Sequence, residues 1–228
     1  MYEFLFLDLD DTILDFQKAE HIALSKTLES FGLTPTEEVL KRYNQINRAH
    51  WEALERKEMT RAQVLLGRFQ MLFREFQLNV DPEKVARIYE RNLGIGHWFL
   101  PGAEEAVERL HKKYRLFLAS NGTASVQKSR MTSANLYRFF ETVFVSQEIG
   151  HNKPSKAYFN AAFARIPAFD PEKCIMVGDS LTSDILGGIN AGIKTVWINP
   201  GHAPGRPDIV PDYEIEYLSQ LEDLLETL

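Results

Sequence analysis

The sequence predicts an α/β fold, a Rossmann-like parallel sheet with helices on both faces that carries an inserted all-helical cap. Three observations lead to it. The chain opens on a continuous apolar run, Phe4-Leu5-Phe6-Leu7, which is typical of a strand buried on both faces of a parallel sheet. No β-rich run interrupts the helical patterns of residues 15–99. Beyond Pro101-Gly102, helices alternate with short apolar strands, as they do in parallel sheets.

The helical block begins soon after the first strand. Apolar residues recur with a helical period from Ile22 to Phe31, and Gly32 can end that helix. Thr34-Pro35-Thr36-Glu37 is interpreted as a capping box at the start of a second helix, and Thr60-Arg61-Ala62-Gln63 as another box before a third. Asp81-Pro82 begins a fourth helix.

Two domains follow from this order. Residues 15–99 are expected to form a helical cap domain, and residues 1–14 with 100–228 an α/β core. The insertion follows the acidic turn Asp8-Leu9-Asp10-Asp11-Thr12, so we expect it to cover a ligand there and exclude water.

The remaining elements of the core are read from the second half of the chain. Further strands are predicted at Leu116–Ala119, Val143–Val145, Ile175–Val177 and Thr195–Ile198, with Tyr213–Leu218 as an edge strand. Helices are predicted at Ala103–Lys113, from about Ser125, at Ser155–Arg165 and at Ile185–Ala191, and Ser219-Gln220-Leu221-Glu222 is interpreted as the cap of a last short helix.

Composition limits the classes of function. The chain has 228 residues and is 44% hydrophobic, enough for one sizeable core or two unequal domains. Its 32 acidic against 26 basic residues, a formal net charge of -6, disfavour a general surface for polymeric nucleic acid or an anionic membrane. The single Cys174 lies in an apolar stretch and is expected to be buried and inert. No apolar run approaches the roughly 20 residues of a membrane span, so we expect a soluble cytoplasmic protein.

Polar residues stand at the carboxyl ends of four predicted strands, the edge where open α/β sheets bind ligands. In chain order they are Asp8 with Asp10, then Ser120-Asn121-Gly122, then Lys153, then Asp179 with Asp184. Strand periodicity turns Asp8 and Asp10 toward one side if the strand continues that far. Two such carboxylates can divide the roles of nucleophile and general acid/base, or share a hard cation to which Asp179 and Asp184 add ligands.

The middle two motifs suit an anion. Ser120-Asn121-Gly122 offers a hydroxyl, an amide and backbone N–H groups before a helix, and Lys153 is a movable point charge. Singly, each motif also has a structural explanation, because Ser-Asn-Gly is ordinarily a turn and Lys-Pro a solvated loop. Their occurrence together at four strand ends, in one compatible order, favours a site.

The combined motifs resemble a known family. The haloacid dehalogenase-like (HAD) hydrolase superfamily is similar in four motifs, which here read Asp8-Leu9-Asp10-Asp11-Thr12, Ser120-Asn121-Gly122, Lys153-Pro154, and Gly178-Asp179-Ser180 with Asp184. The resemblance spans essentially the whole chain. Within the superfamily, the pyrimidine 5'-nucleotidase subgroup is similar at Asn47–Trp51, Gly67-Arg68-Phe69 and Asp184–Gly192.

This resemblance implies a two-step phosphatase. Asp8 would attack the phosphorus of a phosphate monoester to form an aspartyl-phosphate, while Asp10 protonates the leaving alkoxide and then activates water. Mg²⁺ would be held by Asp8, the carbonyl of Asp10 and Asp179, and would offset the repulsion between these carboxylates and the phosphate.

The same resemblance assigns the other motif residues. Ser120 and the backbone amides near Asn121 and Gly122 would hold the transferring oxygens, together with Lys153. Asp184 would steady Lys153 or a water on the metal from outside the ligand shell.

Candidate residues for substrate specificity lie mainly in the helical insertion. Side chains of the insertion and its end could stack on or hydrogen-bond a base or sugar, namely His50, Trp51, Arg61, Arg68, Phe69 and Trp98. Each is more often a core or surface residue, so the nucleotide assignment depends on the subgroup resemblance. The expected partner is a small-molecule phosphate ester.

Alternative functions stay open at this point. A sugar-phosphate phosphatase or phosphomutase of the same superfamily would keep all four motifs, and a dehalogenase would need neither Asp10 as an acid nor Mg²⁺. A phospho-accepting signalling domain also combines an acidic cluster, a hydroxyl residue and Lys-Pro. In that class the phosphorylated aspartate follows a later strand, whereas here the candidate Asp8 follows the first.

Overall fold

The computed structural model describes residues 2–228 and contains one parallel sheet. Its strands are β1 (Phe4–Leu7), β2 (Arg115–Ser120), β3 (Thr142–Val145), β4 (Cys174–Gly178), β5 (Lys194–Ile198) and β6 (Tyr213–Ile215). All pairings are parallel, and the strand order is β3-β2-β1-β4-β5-β6. The first strand of the chain therefore lies inside the sheet between β2 and β4, as expected of a doubly wound fold.

Helices occupy the connections between these strands. The α-helices are α1 (Phe16–Ser30), α2 (Glu37–Glu55), α3 (Arg61–Glu75), α4 (Pro82–Leu93), α5 (Ala103–His111), α6 (Ala124–Ser133), α7 (Ser146–Ile149), α8 (Lys156–Phe163), α9 (Leu186–Ala191) and α10 (Leu221–Glu226). A π-helical turn, Leu181–Ile185, joins β4 to α9, and single 3₁₀ turns lie at Tyr137–Phe139, Pro171–Lys173 and Leu218–Gln220. The predicted α/β class with a helical insertion is confirmed.

The central strand β1 is buried on both faces. Leu5 and Leu7 belong to one hydrophobic cluster, and Phe4 and Phe6 belong to another. Alternation of this kind follows from the two-residue period of a strand. Each fully buried apolar side chain of this type contributes roughly 1.5–3 kcal/mol, so the run Phe4–Leu7 anchors the residues that follow it.

The chain forms two compact units. The first ends at Phe16, resumes at His97 and contains the whole sheet. The second, Gln17–Gly96, contains only helices among its described elements, with Tyr43, Phe69 and Tyr89 packed ring against ring at its centre. It begins two residues later and ends three residues earlier than the cap domain predicted at 15–99.

Helix starts were predicted with mixed success. The capping box at Thr60 is confirmed, and so is Asp81 as the N-cap of α4. The box predicted at Thr34 is wrong, because Thr36 is the N-cap of α2 and its hydroxyl accepts from the N–H of Val39. The predicted cap at Ser219 is wrong as well, since Ser219 lies within a 3₁₀ turn that leads into α10.

Among residues 2–228, no helix has both the length and the apolar composition of a membrane-spanning segment.

Candidate active site

Strand geometry stops before the acidic turn. β1 ends at Leu7, although the N–H of Asp8 still donates to the carbonyl of Val177 on β4 at 2.9 Å. Asp11 then adopts a left-handed backbone conformation with φ of 57°, which short polar residues tolerate better than others. Asp8 and Asp10 therefore both follow the strand, and they bond different partners.

Lys153 lies at the centre of the first set of partners. Its Nζ donates to Asp8 Oδ1 at 2.7 Å, to Asp184 Oδ1 at 2.6 Å and to the carbonyl of Ala119 at 2.5 Å. These three bonds use all three hydrogens of the ammonium, and Lys153 is only 1% exposed. The prediction of a movable point charge is wrong, because this side chain is buried and held from three sides.

Asp184 is brought to Lys153 by the turn after β4. Its Oδ2 accepts from the N–H of Ser180 at 3.1 Å while its Oδ1 accepts from Lys153. The approach requires Gly178, because a Cβ on that residue would lie 2.2 Å from Asp184 Oδ2. The prediction that Asp184 steadies Lys153 agrees with this geometry.

Asn121 connects two of the loops. Its Nδ2 donates to the carbonyl of Lys153 at 2.9 Å and to Ser183 Oγ at 3.2 Å, and its Oδ1 accepts from the N–H of Lys153 at 2.9 Å. Its side chain thus holds the Lys153 loop against the end of β2. Any contribution of Asn121 to binding an anion would come from its backbone.

Ser120 is the last residue of β2 and is buried. Its Oγ accepts from the N–H of Gly122 at 3.0 Å and from Gln127 Nε2 at 2.8 Å. Both bonds use the oxygen as acceptor, which leaves the single hydroxyl hydrogen to be donated. A hydroxyl arranged in this way is suited to an anionic oxygen, as predicted for Ser120, whereas the N–H of Gly122 serves Ser120.

Asp10 belongs to the second set of partners, which sequence reasoning missed. Gln127 Nε2 donates to its Oδ2 at 2.6 Å, and Arg130 forms an ion pair with its Oδ1. Gln127 and Arg130 lie three residues apart on α6, hence on one helix face, and both are buried. Two long polar side chains at that spacing, directly after a candidate phosphate loop, are a signal that the sequence does contain.

Three carboxylates lie close enough to share a cation. Asp8, Asp179 and Asp184 each offer one oxygen, and these oxygens lie within 4.8 Å of one another. Oxygen donors of this type suit a hard divalent cation such as Mg²⁺. Because Asp184 already accepts from Lys153 and Ser180, Asp8 and Asp179 are the better placed ligands.

The charges of the cluster also favour a cation. Burial raises the pKa of Asp8 to about 8 although Lys153 opposes the rise, and the negative charges of Asp184 and Asp10 add to it. Burial likewise raises the pKa of Asp179, with Asp184 and Asp8 adding to the effect. Burial acts to lower the pKa of Lys153, but the Asp184 and Asp8 carboxylates raise it overall. One ammonium faces three carboxylates, so the metal-free site favours bound protons that a cation would displace.

The predicted specificity residues are dispersed. His50, Arg68 and Phe69 are buried inside the helical unit, where Arg68 donates to Asn47 at 2.8 Å and Asn47 to Glu20 at 2.6 Å. His50, Arg68 and Phe69 therefore belong to the interior of the helical unit.

The other three members of that set lie elsewhere. The Arg61 guanidinium lies over the Trp51 ring at 5.4 Å, and both side chains are half-buried. Trp98 belongs to the sheet-containing unit, where its carbonyl accepts from the N–H of Asp15 at 2.8 Å.

Comparison with known proteins identifies relatives along the whole chain. The model of the haloacid dehalogenase-like hydrolase family matches residues 5–198. The chain is 40% identical to the HAD-hydrolase YfnB of Bacillus subtilis over 98% of its own length and 95% of that protein. It is 35% identical to the pyrimidine 5'-nucleotidase PynA of Streptococcus pneumoniae (99% and 95% covered) and 30% identical to the pyrimidine 5'-nucleotidase YjjG of Escherichia coli (98% and 98%).

The fold agrees with a solved structure. The crystal structure of YfnB from Bacillus subtilis bound to magnesium superposes with a TM-score of 0.94 at 40% identity, covering 98% of both chains. That relative binds magnesium, and the present chain has an acidic cluster composed of donors that suit the same ion.

Proposed function

The chain belongs to the haloacid dehalogenase-like hydrolase family, and from this premise we propose that it is a Mg²⁺-dependent 5'-nucleotidase acting on pyrimidine nucleoside monophosphates through an aspartyl-phosphate. With nucleotidase relatives along its whole length, it is a phosphoric monoester hydrolase. The observation that carries the mechanism is the buried Asp8 carboxylate, held by Lys153 at the end of the central strand and beside two further carboxylates.

Asp8 is proposed as the nucleophile. Lys153 binds its Oδ1 at 2.7 Å and fixes the carboxylate, so we assign the attack on phosphorus to Oδ2. The new Asp8–phosphorus bond forms as the bond to the leaving alkoxide breaks, and Asp10 gives a proton to that alkoxide. In the second step Asp10 takes a proton from water, which attacks phosphorus and releases phosphate and free Asp8.

The remaining groups bind and orient the phosphate. The Ser120 hydroxyl donates its hydrogen to a transferring oxygen, and backbone N–H groups after β2 assist it. Asp8, Asp179 and the carbonyl of Asp10 would hold Mg²⁺, which when bound offsets the repulsion between the carboxylates and the phosphate dianion. Lys153 supplies the permanent positive charge next to the nucleophile.

Substrate class is inferred from the relatives. Two that match along nearly the whole chain are pyrimidine 5'-nucleotidases, which supports a nucleoside monophosphate as the small-molecule ester. We propose that the helical unit is the cap domain expected from the sequence, and that the protein acts in the cytoplasm, where such nucleotides occur.

A phosphate-release screen tests this function. Wild-type protein is assayed with and without Mg²⁺ on pyrimidine and purine monophosphates, sugar phosphates and p-nitrophenyl phosphate, and Asp8→Asn serves as the control for contaminating phosphatases. We expect Mg²⁺-dependent release that is fastest with a pyrimidine monophosphate and absent in Asp8→Asn. If a sugar phosphate gave the highest kcat/KM, the nucleotidase assignment would be wrong and the phosphatase assignment would stand. Inertness on all substrates would contradict both.

A further inference from the structure

Gln127 and Arg130 together hold both oxygens of the Asp10 carboxylate. We propose that these two residues are positioning residues for catalysis, which keep Asp10 oriented toward the oxygen of the leaving group and, in the second step, toward water. The inference rests on the proposed function, since it concerns how the acid/base group of that reaction is held.

The hydrogen bonds restrict the orientation of the Asp10 carboxylate. Gln127 Nε2 donates to Asp10 Oδ2 at 2.6 Å, Arg130 pairs with Oδ1, and Gln127 Oε1 accepts from Arg130 Nη1 at 3.2 Å. With both oxygens bonded by residues of α6, the carboxylate cannot rotate freely about its terminal bond. Each carboxylate oxygen retains a second lone pair, which can accept the proton that Asp10 transfers.

The two partners of this ion pair differ in exposure. The Arg130 side chain is 0% exposed and the Asp10 side chain 26%, so the guanidinium is shielded from solvent while part of the Asp10 side chain stays accessible. The Phe16 ring lies against the guanidinium at 5.8 Å and limits where it can move. Burying an arginine is costly and rarely the best way to gain stability, so this pair is better explained by placement of Asp10.

Gln127 also couples Asp10 to the phosphate side of the site. The same Nε2 that bonds Asp10 donates to Ser120 Oγ at 2.8 Å, so one amide sets the spacing between the acid/base and a phosphate-binding hydroxyl. Space for this amide depends on Gly122, because a Cβ there would lie 2.3 Å from Gln127 Nε2. The glycine of the Ser-Asn-Gly motif therefore leaves the space that the Gln127 side chain occupies.

Substrates whose leaving groups differ in basicity distinguish a loss of Asp10 positioning from a general loss of activity. In a double displacement the alcohol departs in the first step, so kcat/KM reports only events up to that departure. A nucleoside alkoxide needs the proton from Asp10, whereas p-nitrophenolate can leave without one. A residue that acts through Asp10 should therefore matter more for the nucleotide than for the aryl ester.

The test compares Arg130→Met, Arg130→Lys and Gln127→Met with wild type. We expect Arg130→Met to lower kcat/KM for the preferred nucleoside monophosphate by about 10–100-fold, because a misplaced general acid loses part of the roughly 10²–10⁴-fold that such a group contributes. For p-nitrophenyl phosphate we expect a loss of less than about threefold. Gln127→Met should show the same bias, and Arg130→Lys should recover part of the loss. Lys128→Met removes a cation from an exposed position of the same helix and should leave both values unchanged.

A double-mutant cycle completes the experiment. In an Asp10→Ala background, Arg130→Met should cause no further loss on either substrate, because the group it positions is already gone. Equal losses on both esters, or additive losses with Asp10→Ala, would overturn the inference while leaving the phosphatase function intact. A wild-type protein inert on both esters would overturn the proposed function and this inference with it. Circular dichroism of every variant checks that the comparison is made on folded protein, and Gln127→Met and Arg130→Lys keep the test available if Arg130→Met does not fold.

Discussion

Lys153 sets the charge balance of the candidate site. Its ammonium is buried and bonded to Asp8, Asp184 and a carbonyl, so desolvation is offset by two carboxylates at hydrogen-bond distance. Removing one partner of such a buried group leaves the others uncompensated, which is usually more harmful than the pair is beneficial. Lys153 is therefore as important for the folding of this edge of the sheet as for its chemistry.

The raised pKa of Asp8 predicts a pH-dependent stability in metal-free protein. An unfolded aspartate titrates near 3.8, whereas Asp8 in the folded site has a pKa of about 8. Between these values the folded state binds a proton that the unfolded state has lost, so the free energy of unfolding falls as pH rises through this window. In a chelator, the urea midpoint of wild type should decrease from pH about 5 to about 9.

Asparagine variants provide the controls for this measurement. Asp8→Asn removes the titrating group at nearly the same volume, so its urea midpoint should fall less over the same pH window. Asp223→Asn, at an exposed position of α10, should keep the wild-type slope. An Asp8→Asn slope equal to that of wild type, or a wild-type midpoint that rises with pH, would show that the proton is not held at Asp8.

At the scale of elements, the end of β4 has the most demanding geometry. Gly178 ends the strand, Ser180 caps the π-helical turn by accepting from the N–H of Ser183 at 3.2 Å, and the turn carries Asp184 back toward Lys153. A π-helical turn is rare and often found at functional sites. Here it places Asp184 so that one of its carboxylate oxygens lies within 4.8 Å of an oxygen of Asp179, which precedes the turn.

Gly178→Ala tests this element. The added Cβ would lie 2.2 Å from Asp184 Oδ2 and 2.7 Å from Asp184 Cβ, so the whole side chain would have to move away from Lys153. We expect a loss of about 1–3 kcal/mol in the free energy of unfolding, as for overpacked sites, and a loss of Mg²⁺-dependent phosphate release. Urea titration and a phosphate assay measure the two effects.

The matched control is Gly201→Ala, because nothing lies within 4 Å of a Cβ at that position. This variant should have wild-type stability and activity. Wild-type activity in Gly178→Ala would mean that the position of Asp184 is unimportant for the reaction.

Secondary structure was predictable where one local signal determined it. Thr60 has a glutamine three residues later and Asp81 directly precedes a proline, and both were correctly identified as N-caps. In Thr34-Pro35-Thr36-Glu37 two threonines compete, and the local pattern does not decide between them. The structure uses Thr36, whose backbone is extended (φ −68°, ψ 152°) while the helix begins at Glu37.

At the scale of the whole molecule, the site is a consequence of strand order. β1 pairs with β2 on one side and β4 on the other, so the residues that follow these strands meet although they are far apart in the chain. Because carboxyl ends of parallel strands share one edge, the sequence alone was sufficient to predict that Asp8, Ser120 and Asp179 come together.

Side-chain partners across the molecule were not predictable in the same way. Gln127 and Arg130 reach Asp10 over 117 and 120 residues of chain, and no local pattern specifies that pairing. The same holds for the side-chain amide of Asn121, which the sequence offers to an anion and which instead bonds the Lys153 backbone. The order of the strands predicts which residues lie at the shared edge of the sheet. Side-chain packing determines which of these residues form hydrogen bonds with each other.

In the proposed mechanism Asp8 becomes phosphorylated during turnover, and the decisive experiment is to trap this aspartyl-phosphate. Wild type with Mg²⁺ and p-nitrophenyl phosphate is quenched in acid within the first turnover, the acyl phosphate is reduced with borohydride, and the tryptic peptide ending at Lys18 is sequenced by mass spectrometry. We expect reduction at Asp8 and at no other aspartate of that peptide, and none in Asp8→Asn. Phosphate release by wild type with no reduced residue, or with reduction at Asp10 instead, would contradict it.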